Sequence, residues 1–315
     1  VKSPPRVALG AIALALLSAL FFTSTYVLNR AAALDGGHWA WTAALRYVVT
    51  VPLMLPLMRG RWTTLWRAMR VHPRAWLLWS GIGFVLFYLC LSYAAASGPA
   101  WLVASTFQLT VVAGMLCAPL LYRDARARIP RAALVCGLLA LAGVLTMQAA
   151  QAGGRLDRNA WIALGCVAVS AFAYPLGNRG LLLHLERAGI ELDATQRVFG
   201  LSLASLPLWL PVIVFAQMRA GAPSLHQVWL AGGVALGAGI IATVLFFRAT
   251  GMVRRDPVAL AAAEAMQAAE ILFATLIGAA WLGEAWPHGI AALGAGIVVL
   301  AIVLFSALVA RSPRG

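Results

Sequence analysis

Along most of this chain the apolar residues come in unbroken runs of about twenty, not in the one-faced stripes of a soluble amphipathic helix. Ten runs are distinguished, at 7–28, 38–58, 75–97, 99–121, 131–150, 159–178, 198–218, 228–250, 257–281 and 287–310. At about 1.5 Å rise per residue, a helix of that length crosses the ~30 Å hydrocarbon core of a bilayer. Turn and breaker residues separate the runs: Asp35-Gly36-Gly37, Gly98-Pro99, Gly153-Gly154, Gly221-Ala222-Pro223, Asp256-Pro257 and Trp286-Pro287. Pro99 and Pro257 each suit a first helical turn, where the missing N–H has no intrahelical partner to lose. Lipid offers the backbone no hydrogen bonds, so each run must satisfy its own groups as a helix. The expected fold class is an all-α polytopic membrane protein with ten transmembrane helices.

Composition agrees: of 315 residues, 62% are hydrophobic and 11% charged, with a mean hydropathy of +0.87. A soluble domain carries about half apolar and a quarter charged residues, so soluble enzyme folds are excluded first. The net charge of +14 would suggest nucleic acid in a soluble protein. Its placement removes that reading. With both termini on one side of ten crossings, that side collects nineteen Lys and Arg and the other only Arg30, Arg155, Arg158 and Arg219, with Arg46 inside a span. The positive-inside rule makes the rich side, with both termini, cytoplasmic. The expected location is a bacterial cytoplasmic membrane, with no nucleic-acid partner. Residues 7–28 are long for a signal core, and Thr23-Ser24-Thr25-Tyr26 does not resemble a small-residue cleavage site, so this run is read as the first crossing.

The chain also repeats itself. Pro52 and Pro56 in the second run find counterparts in Pro207 and Pro211 of the seventh, 155 positions later. Asn29-Arg30 is matched by Asn178-Arg179 and Pro99 by Pro257, at offsets of 149 and 158. Halves of 1–152 and 153–315 each hold five crossings, an odd number, so the second enters the membrane in the opposite sense. Two inverted five-helix repeats form one integral membrane domain, an architecture of secondary transporters. Pro52, Pro56, Pro175, Pro207 and Pro211 interrupt hydrogen-bond ladders and are read either as bending points or as fixed kinks.

Several motifs carry a likeness to known proteins. They are Asp256-Pro257-Val258-Ala259, the alanine-rich ninth run with its carboxylates, Leu282-Gly283-Glu284, and Gly289, Gly294 and Gly296 near and within the last run. With them the chain resembles the ten-helix, EamA-like members of the drug/metabolite transporter superfamily. Ala44-Leu45-Arg46-Tyr47 and Ala173-Tyr174-Pro175-Leu176-Gly177-Asn178-Arg179 are similar to the multidrug resistance efflux transporter subgroup. The resemblance implies efflux of small organic molecules. Four-helix relatives in that superfamily exchange protons at a glutamate of the first helix, whereas residues 7–28 here hold no carboxylate. Any coupling glutamate lies elsewhere.

Ionisable groups at membrane depth cost at least about 2.5 kcal/mol near mid-span and are functional candidates by default. Three qualify: Arg46, Glu264 and Glu270. Counting from Pro257 places Glu264 at ~10 Å and Glu270 at ~20 Å from the cytoplasmic end, with Arg46 at ~18 Å, so Arg46 and Glu270 are able to meet. Glu264, Gln267 and Glu270 recur every third position, a tilted stripe about 120° wide among alanines. The stripe faces either a substrate cavity or a closely packed helix. Desolvation favours a neutral carboxyl and a nearby guanidinium favours the charged one, so the less well paired glutamate is the better proton carrier. If Arg46 holds Glu270, that carrier is Glu264; the alternative is a structural Arg46–Glu270 pair with a water-reached Glu264. Gln108 lies at the depth of Gln267 in the corresponding run, suited to a shared cavity or to an interhelical hydrogen bond. Tyr174 offers an aromatic face to a cation or packs structurally.

The tryptophans near run ends, Trp41 and Trp76 among them, are expected at the interface. Arg59 to Arg74 suit anionic lipid head groups. Cys90, Cys117, Cys136 and Cys166 fall inside apolar runs and read as small core residues. No metal spacing, phosphate loop or nucleophile motif is found, so neither cofactor, metal nor enzymatic activity is expected. The sequence therefore points to a monomeric secondary active exporter of drug-like, cationic or amphipathic compounds, with protons as coupling ion. Export of amino acids or related metabolites, with Arg46 binding a carboxylate, is the alternative.

Overall fold

A computed structural model of the chain describes residues 4–122, 131–151, 158–253, 263 and 266–311, and among these there is helix and no strand. Helix α1 (Pro5–Leu34) is interrupted at Thr23, and α2 (Trp39–Met58) ends in a 3-10 turn, Leu55–Met58. Helix α3 (Pro73–Ser97) contains a π segment, Gly81–Leu86, and α4 (100–121) is broken at Gln108 and Cys117. Then follow α5 (Arg131–Gln151), α6 (Arg158–Arg187), α7 (Ala194–Ala220) and α8 (Leu225–Met252), the last with a π segment at Ala235–Ala242. Helix α9 (Met266–Leu282) opens with a 3-10 turn, and α10 (Ile290–Arg311) closes the series.

Among the described residues six helices are long and apolar enough to cross a membrane: α1, α2, α3, α7 and α8 along their full lengths, and α6 over Trp161–Arg187. Shorter apolar stretches, Val135–Ala150, Met266–Leu282 and Ile290–Leu304, lie in α5, α9 and α10. The protein is an integral membrane helix bundle. Helix α6 runs to Arg187, past the expected end at 178, because Arg179 does not have to reach bulk water. Its Nη1 donates to the Gly114 carbonyl freed at the frayed end of α4.

Helix starts follow their caps. The Asp193 carboxylate and the Gln196 side chain form a reciprocal box at α7, and Ser224 Oγ accepts from Gln227 N at α8. The helix breaks do not follow the prolines. Helix α2 tightens into its 3-10 turn after Pro52, but Pro175, Pro207 and Pro211 lie in uninterrupted helix. The π segments instead fall on glycine-containing runs, and at the second of them hydroxyls of the facing helix and of α8 itself supply donors. Ser18 Oγ donates to Ala242 O at 2.8 Å and Thr243 Oγ1 to Ala238 O at 3.1 Å.

The helices pack in pairs: α1 with α8, α3 with α6, α2 with α7, α4 with α9, and α5 with α10. Van der Waals contact between backbones holds two of these pairs, as expected where lipid removes any hydrophobic drive between helices. A Cβ on Gly177 of α6 would fall against the Gly83 backbone of α3. In the α5–α10 pair, a Cβ on Gly294 would lie 2.7 Å from Gly143 O, and one on Gly143 would lie 2.8 Å from Gly294 O. Two tryptophans expected at the interface are inside instead. Trp76 is 1% exposed with Gly200 against its ring, and Trp41 is buried with Nε1 donating to Gly221 O at 2.8 Å. Both belong to helices that pack on α7, and that packing covers them.

Gly294→Ala therefore forces α5 and α10 apart and costs about 1–3 kcal/mol, read as a lower melting temperature in detergent. Gly296→Ala is the control: a Cβ there meets nothing within 4 Å, and its melting temperature is unchanged or slightly raised.

Candidate functional site

The irregular turns converge on one polar cluster. Below the Thr23 interruption, α1 presents Tyr26, Asn29 and Arg30, spaced so that they share a helix face. Tyr26 Oη donates to Glu270 Oε2 at 3.0 Å, and both residues are buried, at 3% and 5% exposure. Glu270 sits in the first turn of the regular part of α9, immediately after the 3-10 turn Met266–Ala268. An N-terminal helical turn there is a favourable place for a carboxylate. On the same face of α1 the Asn29 amide holds the Tyr88 hydroxyl, with Nδ2 at 2.9 Å and Oδ1 at 3.0 Å.

Arg46 completes the cluster from α2. Its guanidinium lies over the Tyr88 ring at 4.0 Å and near Tyr47 at 5.5 Å. Tyr47 in turn stacks on Trp209 at 5.2 Å. Arg46 is buried, and its Nη1 has no hydrogen-bond partner among the described residues. Aromatic rings occupy the space between the polar groups: Tyr26 packs on Phe107, Phe107 on Phe87 and Tyr174, and Phe87 on Tyr88. Tyr174 packs on Phe87 and Phe107 and keeps 38% of its surface accessible.

Five of the residues singled out in the sequence come into this neighbourhood. Gln108, at the break in α4, reaches the Gln267 carbonyl at 3.5 Å, and Gln267 Nε2 is itself buried without a partner. The Gln108 amide thus bridges α4 to the backbone of α9, and the Gln267 amide has no partner among the described residues. Glu264 lies outside the described residues. The expected Arg46–Glu270 pair is not formed: among the described residues no carboxylate lies within 4.0 Å of Arg46 and no cationic group within 4.0 Å of Glu270. Ring faces hold the guanidinium and the Tyr26 hydroxyl holds the carboxylate. Sequence reasoning missed Tyr26, Asn29 and Tyr88. Asn29 stood out only as a repeat mark, and nothing in a linear pattern pairs it with Tyr88.

A second ionic cluster closes the end of the bundle nearest the α1–α2, α3–α4 and α9–α10 connections. Glu284 follows Gly283, whose φ of 64° ends α9 in the left-handed conformation. Its carboxylate accepts from Ala100 N at 2.9 and 3.0 Å, which caps α4, and lies 3.4 Å from Arg30 Nε. Arg30 Nη1 also donates to Ala96 O of α3 at 3.0 Å. Burial pushes the Glu284 carboxyl above its usual range, against the pull of the Ala100 N–H and of Arg30. One carboxylate therefore ties together the ends of four helices. Glu284→Ala strips the Ala100 N–H and the guanidinium of their partner and costs about 1–3 kcal/mol. Arg30→Ala costs less, since that side chain is 20% exposed, and the double variant in thermal melts reads a favourable coupling between the two.

Comparison with known proteins covers the whole length. Residues 9–311 match the family model described as "EmrE: Putative multidrug resistance efflux transporter". "Uncharacterized protein YjlA" of Bacillus subtilis (strain 168) is 41% identical over 315 aligned residues, 96% of each chain. "Uncharacterized 42.1 kDa protein in intracellular alkaline protease 3'region" of Shouchella clausii is 37% identical over 277 residues, 85% of this chain and 72% of that one. A protein crystal structure shares the fold, with a TM-score of 0.52 at 21% identity over 97% of both chains.

Proposed function

The chain belongs to the EmrE family of multidrug resistance efflux transporters, and from that membership we propose that it is a proton-coupled exporter of cationic or amphipathic drug-like compounds across a bacterial cytoplasmic membrane. The carrying observation is the buried Tyr26–Glu270 hydrogen bond, which leaves the carboxylate with a neutral partner. A carboxyl kept from water and free of a guanidinium exchanges its proton for a substrate amine at lower cost than one locked in an ion pair. The condition that pointed to Glu264, a Glu270 held by Arg46, is not met, so the coupling role falls to Glu270. Gln108, Gln267 and Tyr174 border the path beside it.

The transport cycle we assign uses halves 1–152 and 153–315 as inverted repeats of a monomer, with both termini cytoplasmic. The packing pairs support this reading. Exchanging each helix for its counterpart five places on turns the α1–α8 pair into α6–α3, and the α2–α7, α4–α9 and α5–α10 pairs into themselves. The two π segments recur at offsets of 154 and 156 positions at their first and last residues, in step with the proline pairs. In this orientation the Arg30–Glu284 cluster closes the outer end. With Glu270 deprotonated, an amine enters from the cytoplasm. Rocking of the halves opens the outer end, and a proton arriving at the carboxylate releases the amine and is carried inward.

The test is transport of ethidium by purified protein in proteoliposomes across an imposed pH gradient. Glu270→Gln lowers gradient-driven uphill transport at least tenfold, whereas Glu264→Gln retains it. PH-driven transport by Glu270→Gln at the wild-type rate excludes the coupling role.

A further inference from the structure

Arg46 is the one charged group of the central cluster that the proposed cycle leaves unused. It is 9% exposed, its Nη1 is fully buried, and among the described residues neither a hydrogen-bond acceptor for that nitrogen nor a carboxylate within 4.0 Å is present. Guanidinium stays protonated in proteins, so this site cannot discharge itself, and burying such a charge is costly unless an acceptor meets it. Tyr88, through its ring and hydroxyl, and the Tyr47 ring sit against the guanidinium but leave Nη1 without an acceptor among the described residues. A buried guanidinium with its Nη1 still open to an acceptor suits a carboxylate. Tyr26 and Tyr174 both lie within electrostatic reach of Arg46 and of Glu270, so a molecule resting against those rings feels both charges. A plain cation reaches Glu270 but leaves Arg46 Nη1 without an acceptor.

We propose that Arg46 is an anion subsite in the same path, and that the favoured substrates are amphoteric small molecules presenting a protonated amine to Glu270 and a carboxylate to Arg46 across the aromatic rings. This rests on the export reading above for the path and for the amine site. It narrows drug-like cations to those that also carry an acid group, and it gives the buried guanidinium its missing acceptor whenever substrate is bound.

The experiment measures binding to the purified full-length protein by calorimetry, with two matched pairs of probes: ciprofloxacin and its methyl ester, and phenylalanine and its methyl ester. Each ester keeps the amine and the ring and loses only the negative charge. In the wild type the free acid of at least one pair binds tenfold or more tighter than its ester. Arg46→Gln removes that preference by weakening the acid and leaves the ester within twofold, and Arg46→Lys retains part of it. Esters binding as well as acids, equal weakening of acid and ester by Arg46→Gln, or no binding of any of the four probes overturns the subsite. The wild-type comparison holds even if Arg46→Gln does not fold. If acids and esters bind alike and both weaken in Glu270→Gln, the anion subsite fails and the export reading stands. If the Arg46-dependent acid preference holds while Glu270→Gln moves neither probe, the subsite stands and the amine site is wrong.

Discussion

At membrane depth no water is available to hydrogen-bond a stray polar group, and most of this fold is an answer to that constraint. The π segments and 3-10 turns release carbonyls, and hydroxyls on the same or the facing helix take them up, as Ser18 does for Ala242. Glycine pairs bring helix backbones into direct contact, which replaces hydrophobic drive by packing. Two of the buried side-chain atoms left without a partner among the described residues lie at the central cluster. Arg46 Nη1 and Gln267 Nε2 are buried without partners in one neighbourhood, and both sit beside helices that have given up regular geometry. Irregular backbone inside a membrane bundle is tolerated where it is buried in protein or surrounds a binding path, and in the proposed cycle these atoms border that path.

The helices were legible because the signal is long and one-dimensional: a run of apolar residues bounded by glycine and proline needs no knowledge of neighbours. The partners of the buried polar residues were not legible. Tyr26 and Glu270 are 244 positions apart, and Asn29 and Tyr88 are 59 apart, so their meeting depends on which helices pack and in what rotation. Depth counting placed Arg46 and Glu270 at a similar level but was silent about their partners, tyrosine rings for the one and the Tyr26 hydroxyl for the other. Tryptophan position misled in two cases because nearness to a run's end says nothing of the face. Trp76 faces α7 and is buried, whereas Trp229 at the start of α8 is 72% exposed. Proline misled in the opposite direction: three of the five prolines read as interruptions sit in continuous helix, and the two π segments fall on glycine-containing runs.

The two arginine–glutamate sets show how one pair of residue types serves opposite ends. At the end of the bundle Arg30 and Glu284 are joined at 3.4 Å, and each also bonds a backbone group of a further helix, Ala96 O and Ala100 N. Such a cluster gains from being complete, since loss of either partner strands a charge, and it holds helix ends together until something pulls all of them at once. In the interior Arg46 and Glu270 are held apart by aromatic rings and a tyrosine hydroxyl. Joining them directly would satisfy both charges and stabilise the resting protein, but a substrate would then have to break that pair before gaining anything from either charge. Kept apart, each charge costs the empty protein some stability and offers its interaction to whatever enters. A ligand shifts a conformational equilibrium only by binding one state better than another, so interaction energy left unspent in the empty site is what a transported molecule can use to move the halves.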